Sequence, residues 1–206
     1  MAAALAYGFL DTGLLYRAVT RAAMDRGLVS EPTAASVRQV APQLESIAQI
    51  VDAELRDGGA AIMIDGRKYG AEDLESSEVE AVVPLVAALP EVRDALRGVQ
   101  RRIAGRGRSV LAGRDIGTVV LPDAPHKFFL DASAEARAVR RALQRGHAEG
   151  STEHAQILAA LVERDREDRE RAVAPLRAAD DAITIVTDAL TLDEVVEAIV
   201  GSVQRR

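Results

Sequence analysis

Residues 109–120 read SVLAGRDIGTVV, and this stretch decides the fold. A short apolar run at 109–112 ends at a turn-forming glycine, and two opposite charges, Arg114 and Asp115, follow at once. This pattern is typical of a buried strand that ends at a polar pocket, because ligands of open parallel sheets bind beyond the carboxyl ends of the strands. Residues 10–13, LDTG, close a second apolar run in the same way. We therefore expect two strand ends that share one pocket.

Short apolar runs alternate along the chain with segments of helical period. The predicted strands are 7–10, 60–64, 109–112, 127–130 and 182–186, and the predicted helices are 13–26, 32–57 with an interruption at Pro42, 76–88, 90–105, 134–148, 152–171 and 192–203. This alternation predicts an α/β fold with a parallel sheet flanked by helices, in which 109–112 and 127–130 are the clearest buried strands. Turn sequences on both sides of 60–64 predict a small antiparallel ribbon there.

Composition limits the fold and the partners. The 206 residues are 48% hydrophobic but only 3% aromatic, which predicts one domain with a small appendage and a core of Ala, Val, Leu and Ile. The net charge of −6 provides no basic field for a nucleic-acid partner. The chain has no cysteine, its three histidines lack metal-ligand spacing, and no apolar run has the roughly 18 residues of a membrane helix. We therefore expect a cytoplasmic protein without a structural metal.

Arg17 is the first candidate for binding an anion. It lies about one helical turn after Gly13 and could point back to the predicted sheet edge. The alternative is an aspartate that caps the helix, Asp11, beside an arginine held in a salt bridge. Spacing alone leaves both interpretations open.

A second candidate is the charged run ERDREDRER at 163–171. On a helix, Arg164, Asp168 and Arg171 share one stripe, and two guanidiniums beside a carboxylate suit a sugar phosphate. The alternative is a solvated helix with ion pairs between successive turns. Arg140 and Arg141, on the preceding predicted helix, are candidates for polyphosphate contact or a simple surface pair.

Four stretches of the chain together resemble one enzyme family. They are LDTGLLYR at 10–17, PEVR at 90–93, GRDIGTVVLPDA at 113–124 and RDREDRERAVAPL at 164–176. In this order they resemble bacterial cytidylate kinases, the (d)CMP kinase family of P-loop nucleoside monophosphate kinases. The resemblance implies a single kinase-like domain over 1–206, with a five-stranded parallel core, a monophosphate-binding subdomain inserted at 30–100 and a mobile lid at 137–152. It also implies a monomer that transfers the γ-phosphoryl group of ATP to CMP or dCMP with Mg²⁺.

The resemblance also implies roles for single residues. Arg17, Arg114 and Arg171 would hold the acceptor phosphate, Arg93 and Asp115 would read the cytosine, Arg164 and Asp168 would hold the ribose, Thr12 would line the pocket, and Arg140 and Arg141 would lie near the donor phosphates. Of these, Arg114, Asp115 and Arg171 are expected at the centre of the reaction. Such a set is physically suited to phosphoryl transfer, which depends on positioning and charge neutralisation.

The sequence departs from the family pattern in several places, two of which bear most directly on the site. It contains no Gly-x-x-x-x-Gly-Lys-[Ser/Thr], and residues 1–6 resemble the end of the helix that follows this loop, so we expect the first strand and the P-loop to be missing. Pro84 stands where the family offers a serine to the base. Three hypotheses follow: a (d)CMP kinase whose recorded sequence starts at an internal methionine, a non-catalytic CMP-binding protein, and an inactive remnant. Kinases of other monophosphates remain an alternative because of Pro84.

Overall fold

The computed structural model describes residues 1–29, 31–56, 58–170 and 176–205. They form two compact units, which we call the N-terminal unit (the described residues of Ala2–Gly113) and the C-terminal unit (the described residues of Arg114–Arg206, with Met1). Each unit contains its own sheet among the described residues. No helix in these ranges combines the length and apolar character that a bilayer crossing requires.

The N-terminal unit begins with a 3₁₀ turn at Ala3–Leu5. Its elements are β1 (Gly8–Asp11), α1 (Gly13–Asp25), α2 (Ala34–Gln39), α3 (Ala41–Gln49), β2 (Asp52–Arg56), β3 (Gly59–Ile64), β4 (Arg67–Tyr69), α4 (Ala71–Leu74), α5 (Ser77–Ala87), α6 (Pro90–Ala104) and β5 (Ser109–Ala112). The strand order of its sheet is β4-β3-β2-β1-β5.

The C-terminal unit begins with a π-helical turn at Ile116–Val120. Its elements are β6 (Phe128–Asp131), α7 (Ala134–Gln144), α8 (Thr152–Glu170), β7 (Ile183–Val186) and α9 (Leu192–Gln204). Strands β6 and β7 pair in parallel over four residues each.

Helix α1 follows the sequence prediction closely. Its apolar stripe contains Leu15 and Val19, both fully buried, as the spacing of one helical turn requires. The Asp11 carboxylate accepts a hydrogen bond from the Gly13 N–H at 2.9 Å and so satisfies one of the free donors of the first turn. Gly27, just after the helix, has a φ of +67°, a conformation that favours glycine.

The core of the N-terminal unit is aliphatic, as the composition predicts. Its largest fully buried side chains include Leu10, Leu44, Ile47, Ile62 and Leu96. They come from strands β1 and β3 and from helices α3 and α6, so the sheet and these helices are held together by the same apolar contacts. Burying such side chains contributes about 1.5 to 3 kcal/mol each.

The helix predicted over 32–57 is wrong in its last part. Helix α3 ends at Gln49, and residues 52–56 form β2, which pairs antiparallel with β3 over five residues. Within β2, Ala53 is buried, Leu55 is half-buried and Glu54 is exposed, which is the period of two expected of a strand. The segment becomes a strand because β3 supplies a partner, which a local pattern cannot reveal.

The sheet is mixed, whereas the sequence predicts a parallel one. Strand β1 pairs in parallel with β5, but it also meets β2 antiparallel through Phe9 and Arg56. The predicted ribbon at 60–64 is confirmed as part of the antiparallel run β2-β3-β4, and this ribbon extends the same sheet. The missing first strand expected from the resemblance stays a prediction.

The burial predicted for 127–130 is also wrong. Leu130 in β6 is 53% exposed, and Ile183 in β7 is 41% exposed. The side chains of a strand project above and below the sheet, so an apolar run is buried only where other elements cover those faces.

Candidate functional site

The carboxyl ends of β1 and β5 meet at one edge of the N-terminal sheet. The parallel register sets Asp11 opposite Ala112. The next residue, Thr12, donates from both its N–H and its hydroxyl to the Ala112 carbonyl, each at 2.9 Å. Thr12 is buried, so its hydroxyl ties the two strand ends together. The two predicted strand ends therefore lie side by side, and the pocket that they are expected to share stays a prediction.

Arg17 lies on α1 and is held by two neighbouring helices. Its guanidinium donates to the Leu74 carbonyl at 2.9 Å and to the Glu80 carboxylate at 3.2 Å. The salt-bridge interpretation is therefore correct for the chain without a ligand. The Glu80 carboxylate is about half exposed, so its contact with Arg17 is partly open to water and a phosphate could replace it at a modest cost.

Arg93 lies near the same part of α1. Its guanidinium carbon is 6.0 Å from the ring centroid of Tyr16, the residue before Arg17, and its Nη1 donates to the Ala87 carbonyl at 3.4 Å. Arg93, from one motif, thus lies near Tyr16, which belongs to another. Pro84 lies within α5 and offers no hydroxyl.

In the C-terminal unit, Arg114 and Asp168 form an ion pair through the arginine Nε. These residues are 54 positions apart, and the sequence predicts both as site residues from different motifs. Asp168 is the more buried partner, with 16% of its side chain exposed against 39% for Arg114. The structure therefore brings a predicted phosphate-binding residue and a predicted ribose-binding residue into direct contact.

Asp115 precedes the π-helical turn and anchors its backbone. Its carbonyl accepts from the N–H groups of Val119 and Val120, at 2.9 and 3.2 Å. This turn follows Arg114 directly, so its hydrogen bonds fix the path of the chain beyond the predicted site residues.

Helix α8 carries Arg164 and Asp168, while Arg171 lies outside the described residues. Part of the charged run is solvated, because Glu163 and Arg166 form an exposed pair three residues apart. Another part is not: Asp165 receives two hydrogen bonds from Arg137 on α7. The Arg137 hydrogen bond lowers the pKa of the Asp165 carboxyl, and burial partly offsets that effect.

Arg140 is tied to the end of β7. Its guanidinium donates to the hydroxyl of Thr187 at 3.2 Å, to the Thr187 carbonyl, and to the carbonyl of Asp188 at 3.3 Å. Arg141 is exposed. Within the described part of the chain, Arg140 therefore binds backbone carbonyls and Arg141 does not.

Sequence reasoning missed Arg137, Asp165 and Thr187. Arg137 precedes Arg140 by one helical turn, and Asp165 lies inside the charged run, so both were adjacent to residues that had been singled out. Their pairing joins α7 to α8 across 28 positions, and no local spacing reports such a contact.

Comparisons with known proteins identify the family. A family model described as cytidylate kinase matches residues 1–205. A cytidylate kinase from an Exiguobacterium species is 40% identical over 200 residues, which cover 97% of this chain and 86% of that protein. One from Rhodococcus jostii is 39% identical over 201 residues, covering 96% of this chain and 84% of that protein.

A longer relative carries the same region beside another activity. It is a bifunctional pantoate ligase/cytidylate kinase from a Synechococcus species, 41% identical over 197 residues, which cover 93% of this chain and 38% of that protein. None of these matches supports the alternative of a non-catalytic CMP-binding protein. The chain, matched by the family model over almost its whole length, belongs to the cytidylate kinase family.

Proposed function

We propose that this protein transfers the γ-phosphoryl group of ATP to CMP or dCMP, giving CDP or dCDP. The observation that carries the proposal is the family match over residues 1–205, which includes all four motif stretches. The kinase relatives supply the acceptor class, since two of the three described above are named as cytidylate kinases and the third includes that activity.

The proposed acceptor site is rich in guanidinium groups. Arg17, Arg114 and Arg171 hold the phosphate of CMP, because the guanidinium fork matches phosphate oxygens and stays charged at any physiological pH. They also neutralise the charge that develops on the transferred group. We assign Arg114, Asp115 and Arg171 to the reaction centre.

The nucleoside is held by different residues. Arg93 and Asp115 read the cytosine, and Arg164 and Asp168 hold the ribose hydroxyls. The Arg114 guanidinium already holds the Asp168 carboxylate in place, which supports a fixed position for this hydrogen-bond acceptor. Thr12 lines the pocket at the sheet edge.

The donor side fits this chain less well. P-loop enzymes hold the ATP phosphates and Mg²⁺ with a Gly-x-x-x-x-Gly-Lys-[Ser/Thr] loop, and the sequence has no such motif. Within the described ranges, no three His, Cys, Asp or Glu residues form a group able to hold a metal ion. The residues present therefore do not fit Mg²⁺-ATP in the way that the family pattern requires.

Arg140 and Arg141 remain the proposed contacts to the donor phosphates. For Arg140 this requires an exchange of partners, because its guanidinium is bound to the carbonyls of Thr187 and Asp188. Arg141 is exposed and needs no such exchange to reach a phosphate.

Two measurements on the same preparation test the proposal. Calorimetric titration should give heat with CMP and much less with AMP, and no heat at millimolar CMP would contradict an acceptor site. An assay for ADP release should then detect ADP only when ATP and CMP are both present. CMP binding without ADP release would retain the acceptor site and overturn the transfer reaction.

A further inference from the structure

Helices α7 and α8 of the C-terminal unit are joined by one two-pronged ion pair. Arg137 donates from Nη1 to one oxygen of Asp165 at 2.9 Å and from Nη2 to the other at 2.5 Å. Its Nε lies 3.2 Å from the Ala132 carbonyl and 3.3 Å from that of Ser133. All three nitrogens of the guanidinium are therefore used, and the orientation of Arg137 is fixed by the loop that starts α7.

This pair is partly sheltered from water. The exposed fraction of the side chain is 32% for Arg137 and 18% for Asp165. The mutual hydrogen bond raises the pKa of Arg137 and lowers that of Asp165, so both groups stay charged. Paired, partly buried arginine–carboxylate contacts are stronger and more directional than exposed ones.

Asp165 is placed so that it controls the direction of its neighbours on α8. Successive residues of an α-helix are about 100° apart around the axis, so Asp165 is about 100° from Arg164 and about 60° from Asp168. Holding Asp165 against α7 therefore sets the rotation of α8. One turn further along α8, Asp168 is held by Arg114, so this part of the helix is fixed at two points.

We infer that Arg137 is a positioning residue, which acts through Asp165 to aim Arg164 and Asp168 at the ribose hydroxyls of the acceptor nucleotide. The inference rests on the proposed function, because it needs the acceptor to be CMP or dCMP. Arg137 itself touches no substrate in this account. Its role is to make the site distinguish a hydroxylated sugar from one without hydroxyls.

The same helix offers a matched control. Glu163 and Arg166 form an ion pair three residues apart, with 56% and 59% of their side chains exposed. This pair has the same chemistry as the Arg137–Asp165 pair but lies within one helix. Glu163→Gln should therefore leave the rotation of α8 unchanged.

The test compares CMP with 2′,3′-dideoxycytidine monophosphate, which keeps the base and the phosphate but lacks both ribose hydroxyls. Calorimetry gives the affinity of the wild-type chain and its variants for each ligand. In Asp165→Asn we expect the preference for CMP over the dideoxy ligand to fall about tenfold, which is within the range of coupling between contacting residues. Glu163→Gln should keep the wild-type preference.

Two further variants keep the result interpretable if Asp165→Asn folds poorly. Arg137→Lys keeps the positive charge but loses the fork, and we expect it to lose part of the preference. The exchanged double variant, Arg137→Asp with Asp165→Arg, should regain part of it. Thermal melts followed by circular dichroism establish that each variant is folded.

An unchanged preference in folded Asp165→Asn and Arg137→Lys would overturn the inference. An equal loss of affinity for CMP and for the dideoxy ligand would also overturn the inference, since the Arg137–Asp165 pair would then only stabilise the fold. If the wild-type chain itself gives no heat with CMP, the proposed function fails first and the inference fails with it.

Discussion

The ion pair between Lys127 and Asp181 predicts that removing one partner costs more stability than removing the other. The Lys127 ammonium donates to both oxygens of Asp181, at 2.8 and 2.7 Å, and to the Pro122 carbonyl. The Lys127 side chain is only 7% exposed, whereas that of Asp181 is 65% exposed. The lysine stem also lies against Gly117, where an added Cβ would be 3.3 Å from its Cδ. Lys127 therefore supports the π-helical turn that follows Arg114.

The cost of breaking this pair depends on which charge is left behind. Asp181→Ala leaves a buried ammonium without its counter-ion, which costs about 3 to 5 kcal/mol in a fully buried pair and about 2 kcal/mol here, because one side faces water. Lys127→Met keeps most of the stem volume and leaves a carboxylate that water can hydrate, so we expect a loss of about 1 kcal/mol or less. Adding Lys127→Met to Asp181→Ala removes the stranded charge. The double variant should therefore be about 1 kcal/mol more stable than Asp181→Ala alone.

Urea unfolding followed by far-UV circular dichroism measures these free energies at neutral pH and constant salt. Glu163→Ala is the control, since it removes one partner of an exposed pair and should leave the free energy of unfolding close to that of the wild type. The reasoning is refuted if the double variant is less stable than Asp181→Ala, or if Lys127→Met alone costs as much as Asp181→Ala.

Three further predictions concern the recognition of the cytosine base, the packing of the N-terminal sheet and the loss of stability at low pH. Arg93→Met should weaken the binding of cytidine and of CMP by the same factor, about tenfold, because it removes a charged hydrogen bond to the base. Calorimetry with both ligands measures these affinities. Gly8→Ala should lower the urea midpoint by an amount equivalent to about 1 to 3 kcal/mol, because the new Cβ would be 2.5 Å from the Leu55 Cβ. The Arg137 hydrogen bond lowers the folded-state pKa of Asp165. The stabilisation is then complete above the unfolded-state pKa of about 3.9 and is lost as the pH falls through the lower folded-state pKa, so urea melts should show the gap between wild type and Asp165→Asn closing only below about pH 4.

Local sequence patterns were sufficient for the helices that pack on the N-terminal sheet. The helices predicted at 13–26, 76–88 and 90–105 are found as α1, α5 and α6; the Ser76 hydroxyl caps α5 and Pro90 opens α6. In each case the signal is a periodicity and a cap within the same segment. Interactions within one turn of helix do not depend on distant partners, and for this reason they can be read from the sequence.

Features that depend on distant partners were missed. The strand at 52–56 exists because β3 lies beside it, and the exposure of Leu130 depends on which elements cover its face of the sheet. At the site, the motif residues were identified by type, but the pairing of Arg137 with Asp165 was not. Each of these features is set by tertiary contact, which overrides local propensity.

The central claim is that guanidiniums from separate motifs serve the phosphate of one nucleotide. Calorimetric titration of CMP and of cytidine into the wild-type chain and into Arg17→Gln, Arg114→Gln and Arg171→Gln tests it most directly. Each variant should lower the affinity for CMP about 10- to 100-fold, because each removes a charge-assisted contact to the phosphate. The affinity for cytidine should equal that of the wild type. Variants that bind CMP as tightly as the wild type, or that lose cytidine to the same extent, would contradict the account.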